Sequence, residues 1–70
     1  MRLSYYPETD SLYIDLAATD SVDSREISDG VVVDYDINDK ITGIDIDHAS
    51  KILNLRELVT DRLPIEKQAA

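Results

Sequence analysis

Apolar and polar residues alternate along the first two thirds of the chain, and this alternation restricts its fold more than any other feature. A period of two is typical of β-strands that bury one face. Residues 2–6 and 11–16 flank the turn-forming sequence Pro7-Glu8-Thr9-Asp10. Closing these two stretches as a hairpin places Leu3 opposite Ile14 on an apolar face. The same register places Arg2 opposite Asp15, Ser4 opposite Tyr13, and Tyr5 opposite Leu12.

Residues 31–36 and 41–47 predict a second hairpin, which turns at Asn38-Asp39. Its register gathers apolar residues on one face, where Val31 pairs with Ile46, Val33 with Ile44, and Tyr35 with Thr42. On the other face Val32 pairs with Asp45, and Asp34 with Gly43. The glycine is expected to relieve crowding opposite Asp34 or to mark a bulge. A weaker strand around residues 22–27 is expected to join the same sheet, because Ser28-Asp29-Gly30 follows it as a turn signal.

After residue 53 the apolar spacing becomes helical, with Leu55, Leu58, Val59 and Leu63 on one side. Asn54 is a good N-cap, Glu57 can complete a capping box, and Pro64 is a stop signal. We therefore predict a helix over residues 55–63. The predicted fold class is α+β: a small antiparallel β-meander of four or five strands with one C-terminal helix packed on the sheet.

The chain has 70 residues, which is room for one small domain. We expect this domain to span residues 1–64, with residues 65–70 as a C-terminal tail or a frayed helix. Its predicted core comprises Leu3, Tyr5, Leu12, Ile14, Leu16, Val31, Val33, Ile44, Ile46, Leu58 and Val59. One short helix covers only part of such a sheet, and the sequence has no cysteine to reinforce it. A homodimer is therefore expected rather than a monomer.

The net charge of −8 excludes a typical nucleic-acid-binding protein, which needs a basic surface. The N-terminal residues 1–6 lack the apolar core of a signal peptide, and apolar runs such as Val31-Val32-Val33 are too short to cross a membrane. We therefore expect a soluble cytoplasmic protein that binds neither nucleic acid nor membrane.

Carboxylates gather on the predicted outer face of the second hairpin, where Asp34, Asp36, Asp45 and Asp47 lie with Tyr13 nearby. One interpretation is a solvated face that keeps a small protein in solution. The other is a docking surface for a basic partner, whose association the charge would steer. These five residues are the candidate partner-binding residues.

The spacing Asp34-x-Asp36-x-Asn38, followed by Asp45, is similar to an EF-hand calcium loop. Asp39 stands where that loop requires glycine, and Asp45 stands where it requires glutamate. The candidate metal ligands are Asp34, Asp36 and Asp45, for calcium or, with substrate phosphates, for magnesium. A solvated acidic turn explains the same residues without a metal.

Catalytic and cofactor signals are weak. His48 is the sole histidine of the sequence, and its spacing from Ser50 does not by itself bring a hydroxyl onto the imidazole. Gly30 and Gly43 are isolated, so neither belongs to a phosphate-binding loop. The sequence therefore predicts no catalytic residue and no cofactor.

Two stretches resemble a prokaryotic family of small domains of unknown function. Residues 5–14 read YYPETDSLYI, which is similar to the family pattern YDPEADALYI. Residues 29–51 contain DGVVVDYD, GIDI and ASK, which are similar to the family's DGVIVDYD and GIEILDASK. The departures include Asp39 for glycine, Asp45 for glutamate, Asp47 for leucine and His48 for aspartate. The resemblance implies a short, mostly β module and no established activity.

Two functions agree with these observations. The first is a small acidic, non-catalytic protein-interaction module, a homodimer that binds a basic partner, for example as an antitoxin masks a basic toxin. The alternative is a carboxylate-based divalent-metal-binding domain or enzyme that uses Asp34, Asp36 and Asp45.

Overall fold

The computed structural model describes residues 1–66. Within that range the chain forms five strands followed by one short helix. The strands are β1 (Arg2–Tyr6), β2 (Ser11–Asp15), β3 (Asp23–Ser28), β4 (Val31–Tyr35) and β5 (Ile41–Ile46), and the helix is α1 (Ala49–Ile52). The tail predicted at residues 65–70 lies outside the described residues from residue 67 onward.

The strands pair in the order β1-β2-β5-β4-β3, and each neighbouring pair is antiparallel. β1 and β2 form a hairpin, β3 to β5 form a meander, and the two units join where β5 pairs with β2. The predicted α+β class, with an antiparallel meander sheet and a helix C-terminal to it, is confirmed. The pairing of β2 with β5 had no signal in the sequence, because it depends on how the segment between β2 and β3 crosses the molecule.

The predicted register is confirmed throughout the first hairpin and over residues 31–34 and 43–46 of the second. Arg2 pairs with Asp15 in the first hairpin. Val33 pairs with Ile44 in the second. A shift of one residue in either hairpin would have moved the apolar residues to the wrong face, so the hydrophobic pattern alone was enough to set the register.

The turn between β4 and β5 differs from the prediction. The Asp39 N–H donates to the Asp36 carbonyl at 2.9 Å, and the Asp36 N–H donates to the Lys40 carbonyl at 2.8 Å. Asp39 has a φ of 62°, so the loop has three residues and ends on a left-handed residue, unlike the expected two-residue turn. The strands recover their register through a bulge, and Tyr35 pairs with Ile41 instead of Thr42.

The apolar face of the sheet is the face that carries Leu12, Ile14, Val33, Ile44 and Ile46. At its centre Leu12, Val33 and Ile46 are buried, as predicted. Ala49 of α1 is fully buried and packs with Leu12 and Ile46. The helix therefore covers one end of the apolar face.

The segment between β2 and β3 covers another part of this face. The hydroxyls of Ser21 and Thr42 are 2.7 Å apart, and Thr42 is buried. The β1 side of the face is open, since Leu3 and Tyr5 are 46% and 45% exposed. The prediction that these two residues and Leu16 are core residues is therefore wrong.

The helix predicted over residues 55–63 does not form. Residues 57–61 have no regular secondary structure, and Leu58 and Val59, predicted as core residues, are 75% and 74% exposed. A helix this short is marginal in water unless it buries its apolar side. Leu53 and α1 occupy the adjoining part of the core instead.

No helix among residues 1–66 has the length and apolar character needed to span a membrane.

Candidate functional site

The acidic face lies on the side of the sheet opposite the apolar face and consists of Asp15, Asp34, Asp45 and Asp47, with Tyr13 among them. The sheet brings these residues together because β5 lies between β2 and β4. Tyr13 pairs with Asp45 across one strand boundary, and Asp34 pairs with Gly43 across the other. The acidic face therefore draws on three adjacent strands.

Tyr13 and Asp34 are linked across β5. The Tyr13 hydroxyl donates to Asp34 Oδ2 at 2.9 Å, and the Ser24 hydroxyl donates to Asp34 Oδ1 at 2.6 Å. The Tyr13 ring lies over Gly43, where an added Cβ would come within 2.6 Å of the ring's Cζ. Glycine at this position thus relieves crowding, as expected, although the crowding side chain is Tyr13 and not Asp34.

The hydrogen bonds within the acidic face use the polar atoms with which Tyr13 and Asp34 would bind a partner. The hydrogen bond to Asp34 and burial raise the pKa of Tyr13, so the phenol stays protonated as the donor. Both oxygens of Asp34 already accept hydrogen bonds from Tyr13 and Ser24. The two predicted partner-binding residues are therefore part of the scaffold of the acidic face.

Asp45 lies in the acidic face between Asp34 and Asp47, and its pKa is raised. It is partly buried, and burial is the main cause that raises its pKa. The negative charges of Asp47 and Asp34 raise that pKa further. Asp47 is itself exposed, and its carboxylate lies 3.4 Å from the Ser11 hydroxyl. The open part of the acidic face is centred on Asp45 and Asp47.

Asp36 lies apart from the acidic face. It is buried, and its Oδ1 accepts hydrogen bonds from the backbone N–H groups of Asn38 and Lys40 at 2.9 and 3.0 Å. The Thr19 hydroxyl donates to its Oδ2 at 3.3 Å. The backbone bond from Lys40 is the main cause that lowers the pKa of Asp36. The carboxylate thus organises the β4–β5 turn.

The three candidate metal ligands do not meet at one point. Asp34 contacts Tyr13 and Ser24, whereas Asp36 faces its own turn. In residues 1–66 no group of three or more histidine, aspartate or glutamate side chains is arranged to hold a metal ion.

A second cluster, absent from the sequence-based predictions, joins the β1–β2 turn to α1. The Ser50 and Tyr5 hydroxyls both donate to the Asp10 carboxylate, each at 2.7 Å. The Ser50 N–H donates to the same carboxylate at 3.2 Å. Asp10 has a φ of 54°, a left-handed conformation that aspartate tolerates better than most residues.

The hydrogen bonds of this cluster stabilise the fold and do not prepare Asp10 for catalysis. The hydrogen bonds from Ser50 and then Tyr5 lower the pKa of Asp10, with a smaller contribution from the charge of His48. A carboxylate whose ionised form is stabilised in this way is a weak base. The Ser50 hydroxyl points to Asp10, so the spacing of Ser50 and His48 does not build a serine–histidine pair.

The one sequence signal at Asp10 is its position at the end of a turn-forming stretch. Its contact with Ser50 requires β2 and β5 to be neighbours, which no local pattern indicates. Tyr5, Asp10 and Ser50 all lie in the two stretches that carry the family resemblance, so those stretches are in contact in the fold.

Comparisons with known proteins give one result. Neither a search of curated proteins nor a search of solved structures finds a match to the chain. A family model described as protein of unknown function, DUF2283, matches residues 2–50, which include the whole sheet and the start of α1. The chain belongs to this family of proteins of unknown function.

Proposed function

We propose that the chain is a non-catalytic protein-interaction module that works as a homodimer, joined through the open part of its apolar face. The observation that carries this proposal is the large accessible surface of the single chain. That surface is 5984 Å². A folded monomer of 7.9 kDa is expected to expose about 4400 Å².

The excess is large enough for an interface. It amounts to roughly 1500 Å² by the same scaling. Each partner in a standard protein interface buries about 800 Å². The radius of gyration, 13.0 Å, likewise exceeds the value of about 11 Å that 70 residues predict.

The excess surface contains apolar side chains that adjoin the core. Leu3, Tyr5 and Leu16 lie along the β1 side of the apolar face and are exposed. Contiguous exposed apolar surface at the edge of a core is typical of a protein interface. A second copy of the chain offers the same open face, as a two-fold symmetric dimer requires.

Sedimentation over a wide concentration range tests the homodimer. Leu3→Asp places a charge on the open apolar face and should weaken self-association at least tenfold, which corresponds to about 1.4 kcal/mol. Ile37→Asp is the matched control, because Ile37 is 81% exposed at the β4–β5 turn. A wild-type chain that stays monomeric throughout, or equal effects of the two substitutions, would contradict the proposal.

A specific observation favours a second candidate, a basic protein partner bound at the acidic face. Burial raises the pKa of Asp45, and the nearby negative charges of Asp47 and Asp34 raise it further. A cationic partner would relieve this repulsion, so binding there gains more than it would at isolated carboxylates. A basic toxin held by an antitoxin in the cytoplasm of a prokaryotic cell is one example of such a partner.

A decalysine peptide serves as the probe for this candidate. Asp45→Asn/Asp47→Asn should weaken its binding more than Asp20→Asn/Asp61→Asn does, although both double variants change the net charge equally. Asp20 and Asp61 are exposed and lie outside the acidic face. Equal losses in the two variants would show that only net charge matters and would contradict a specific surface.

A further inference from the structure

We propose that residues 55–61 fold into an amphipathic helix when two copies associate, and that the helix of each copy covers the open β1 side of the apolar face of the other. This inference rests on the proposed homodimer and specifies what its interface contains. In the single chain, residues 55 and 56 form a turn and residues 57–61 are irregular.

One hydrogen bond that could start this helix is already present in the single chain. The Arg56 N–H donates to Asn54 Oδ1 at 3.2 Å. This is the bond that an N-cap asparagine makes to the second residue of a helix. The first step of helix formation is the unfavourable one, and a preformed cap reduces its cost.

The end of the helix is also marked in the backbone. Arg62 has a φ of 60°, the left-handed conformation that often follows the last helical turn. Leu63 precedes Pro64, which disfavours helical backbone at residue 63. Both ends of a seven-residue helix are therefore set by Asn54 and Arg62.

The helix would gather apolar side chains that are now exposed to water. Leu55, Leu58 and Val59 fall on one side of a helix because they are spaced by three and four residues. All three are exposed in the single chain. A helix of this length is unstable without a surface to pack on, which explains why the segment is irregular here.

A second copy of the chain can supply both of the surfaces that the single chain leaves exposed. The chain presents an apolar helical stripe that lacks a surface and an open apolar strip at Leu3, Tyr5 and Leu16 that lacks a cover. In a two-fold dimer the helix of each copy packs on the apolar strip of the other, so that the helix and the strip are buried together. The excess surface of the single chain is sufficient for such an exchange.

Substitutions at Thr60 test the helix without disturbing the sheet. Thr60→Pro breaks a helix interior, whereas residue 60 has no regular secondary structure in the single chain. Thr60→Ala removes the same side chain and favours a helix. Sedimentation should show that Thr60→Pro weakens self-association at least tenfold relative to Thr60→Ala. Circular dichroism at 222 nm should show helix content that rises with concentration in the wild type and in Thr60→Ala alone.

The outcomes separate this inference from the homodimer. A wild-type dimer with equal affinities for the two Thr60 variants and constant helix content would overturn the helix and leave the homodimer intact. Helix content that is high in the monomer at every concentration would place the helix on its own sheet and would also overturn the exchange. A wild type that never associates would overturn the homodimer, and the exchange with it.

Discussion

The hydroxyl of Ser50 donates a 2.7 Å hydrogen bond to the carboxylate of Asp10, 40 positions earlier in the chain. The backbone N–H of Ser50 donates to the same carboxylate, and the N–H of Ala49 donates to the Asp10 carbonyl at 2.9 Å. The N-cap residue of α1, His48, makes no capping bond with its own side chain. The β1–β2 turn therefore caps the helix, and a helix of one turn depends on such a cap.

Replacing Asp10 by asparagine should lower the urea midpoint of unfolding near pH 7, and the difference from wild type should shrink in acid. The pKa of Asp10 is lowered in the folded chain, mainly by Ser50. The stability that this provides is present above the ordinary aspartate pKa of about 3.9 and is lost as the pH falls through the folded value. Asparagine keeps the size of the side chain and tolerates the left-handed backbone.

Glu8→Gln is the control for this prediction, because it removes one negative charge from the same turn. Its urea midpoint should follow that of the wild type from pH 7 to pH 3. An Asp10→Asn variant that matched the wild type at neutral pH would show that α1 does not depend on the Asp10 carboxylate.

Gly43→Ala should destabilise the fold by about 1–3 kcal/mol, as overpacking does at well-packed sites. An added Cβ would lie 2.6 Å from the Tyr13 Cζ and would force the ring away from Asp34. In a Tyr13→Ala background the same change should cost less, with a coupling energy of about 1–2 kcal/mol. Urea unfolding of the four chains measures this coupling, and purely additive effects would mean that the ring is not what excludes a side chain at residue 43.

Asp45→Asn should stabilise the folded chain at pH 7 by about 0.2–1 kcal/mol, the size of a cross-strand charge effect. The pKa of Asp45 is raised by burial and by Asp47 and Asp34, so its ionised form opposes folding at neutral pH. That penalty begins to shrink as the pH falls below the raised pKa, because folded Asp45 then binds a proton, and it is gone below the ordinary aspartate pKa of about 3.9, where the unfolded chain is protonated as well. The gain measured by urea unfolding should therefore be largest at pH 7 and should vanish below about pH 4. A gain that persisted in acid would exclude an electrostatic cause.

The two hairpins of the sheet were predictable because the information that sets them is local. Alternation sets which face of a strand is buried, and a slip of one residue would expose the whole apolar set, so Val33 could pair with Ile44 but not with its neighbours. The turn at Asp39 was harder, since the sequence does not distinguish a two-residue loop from a three-residue loop followed by a bulge.

The contacts that build the candidate site are non-local, and for that reason the sequence did not show them. The acidic face needs β5 between β2 and β4, which no periodicity reports. Asp34 and Asp36 are two residues apart, yet one bonds to Tyr13 and the other to the backbone of its own turn. The Asn54 cap and the helical spacing of the apolar residues after it favour a helix locally, but a short helix is stable only when its apolar side is packed on another surface.

Leu58→Ala tests whether Leu58 belongs to the core of its own chain or to an interface between two chains. A helix packed on its own sheet would make this substitution cost about 2–5 kcal/mol of folding stability. Leu58 is 75% exposed in the single chain. We therefore expect the unfolding free energy of the dilute monomer to change by less than about 0.5 kcal/mol, as at other surface positions.

Self-association should respond differently. If Leu58 lies in the exchanged helix, Leu58→Ala should weaken the dimer and lower the melting temperature only at concentrations where the wild type is dimeric. Ile37→Ala, at an exposed site in the β4–β5 turn, should change neither quantity. Thermal unfolding from micromolar to millimolar chain, with sedimentation on the same samples, measures both effects. A large loss of stability in the dilute Leu58→Ala monomer would show instead that Leu58 packs within its own chain, because only a buried leucine loses that much on truncation.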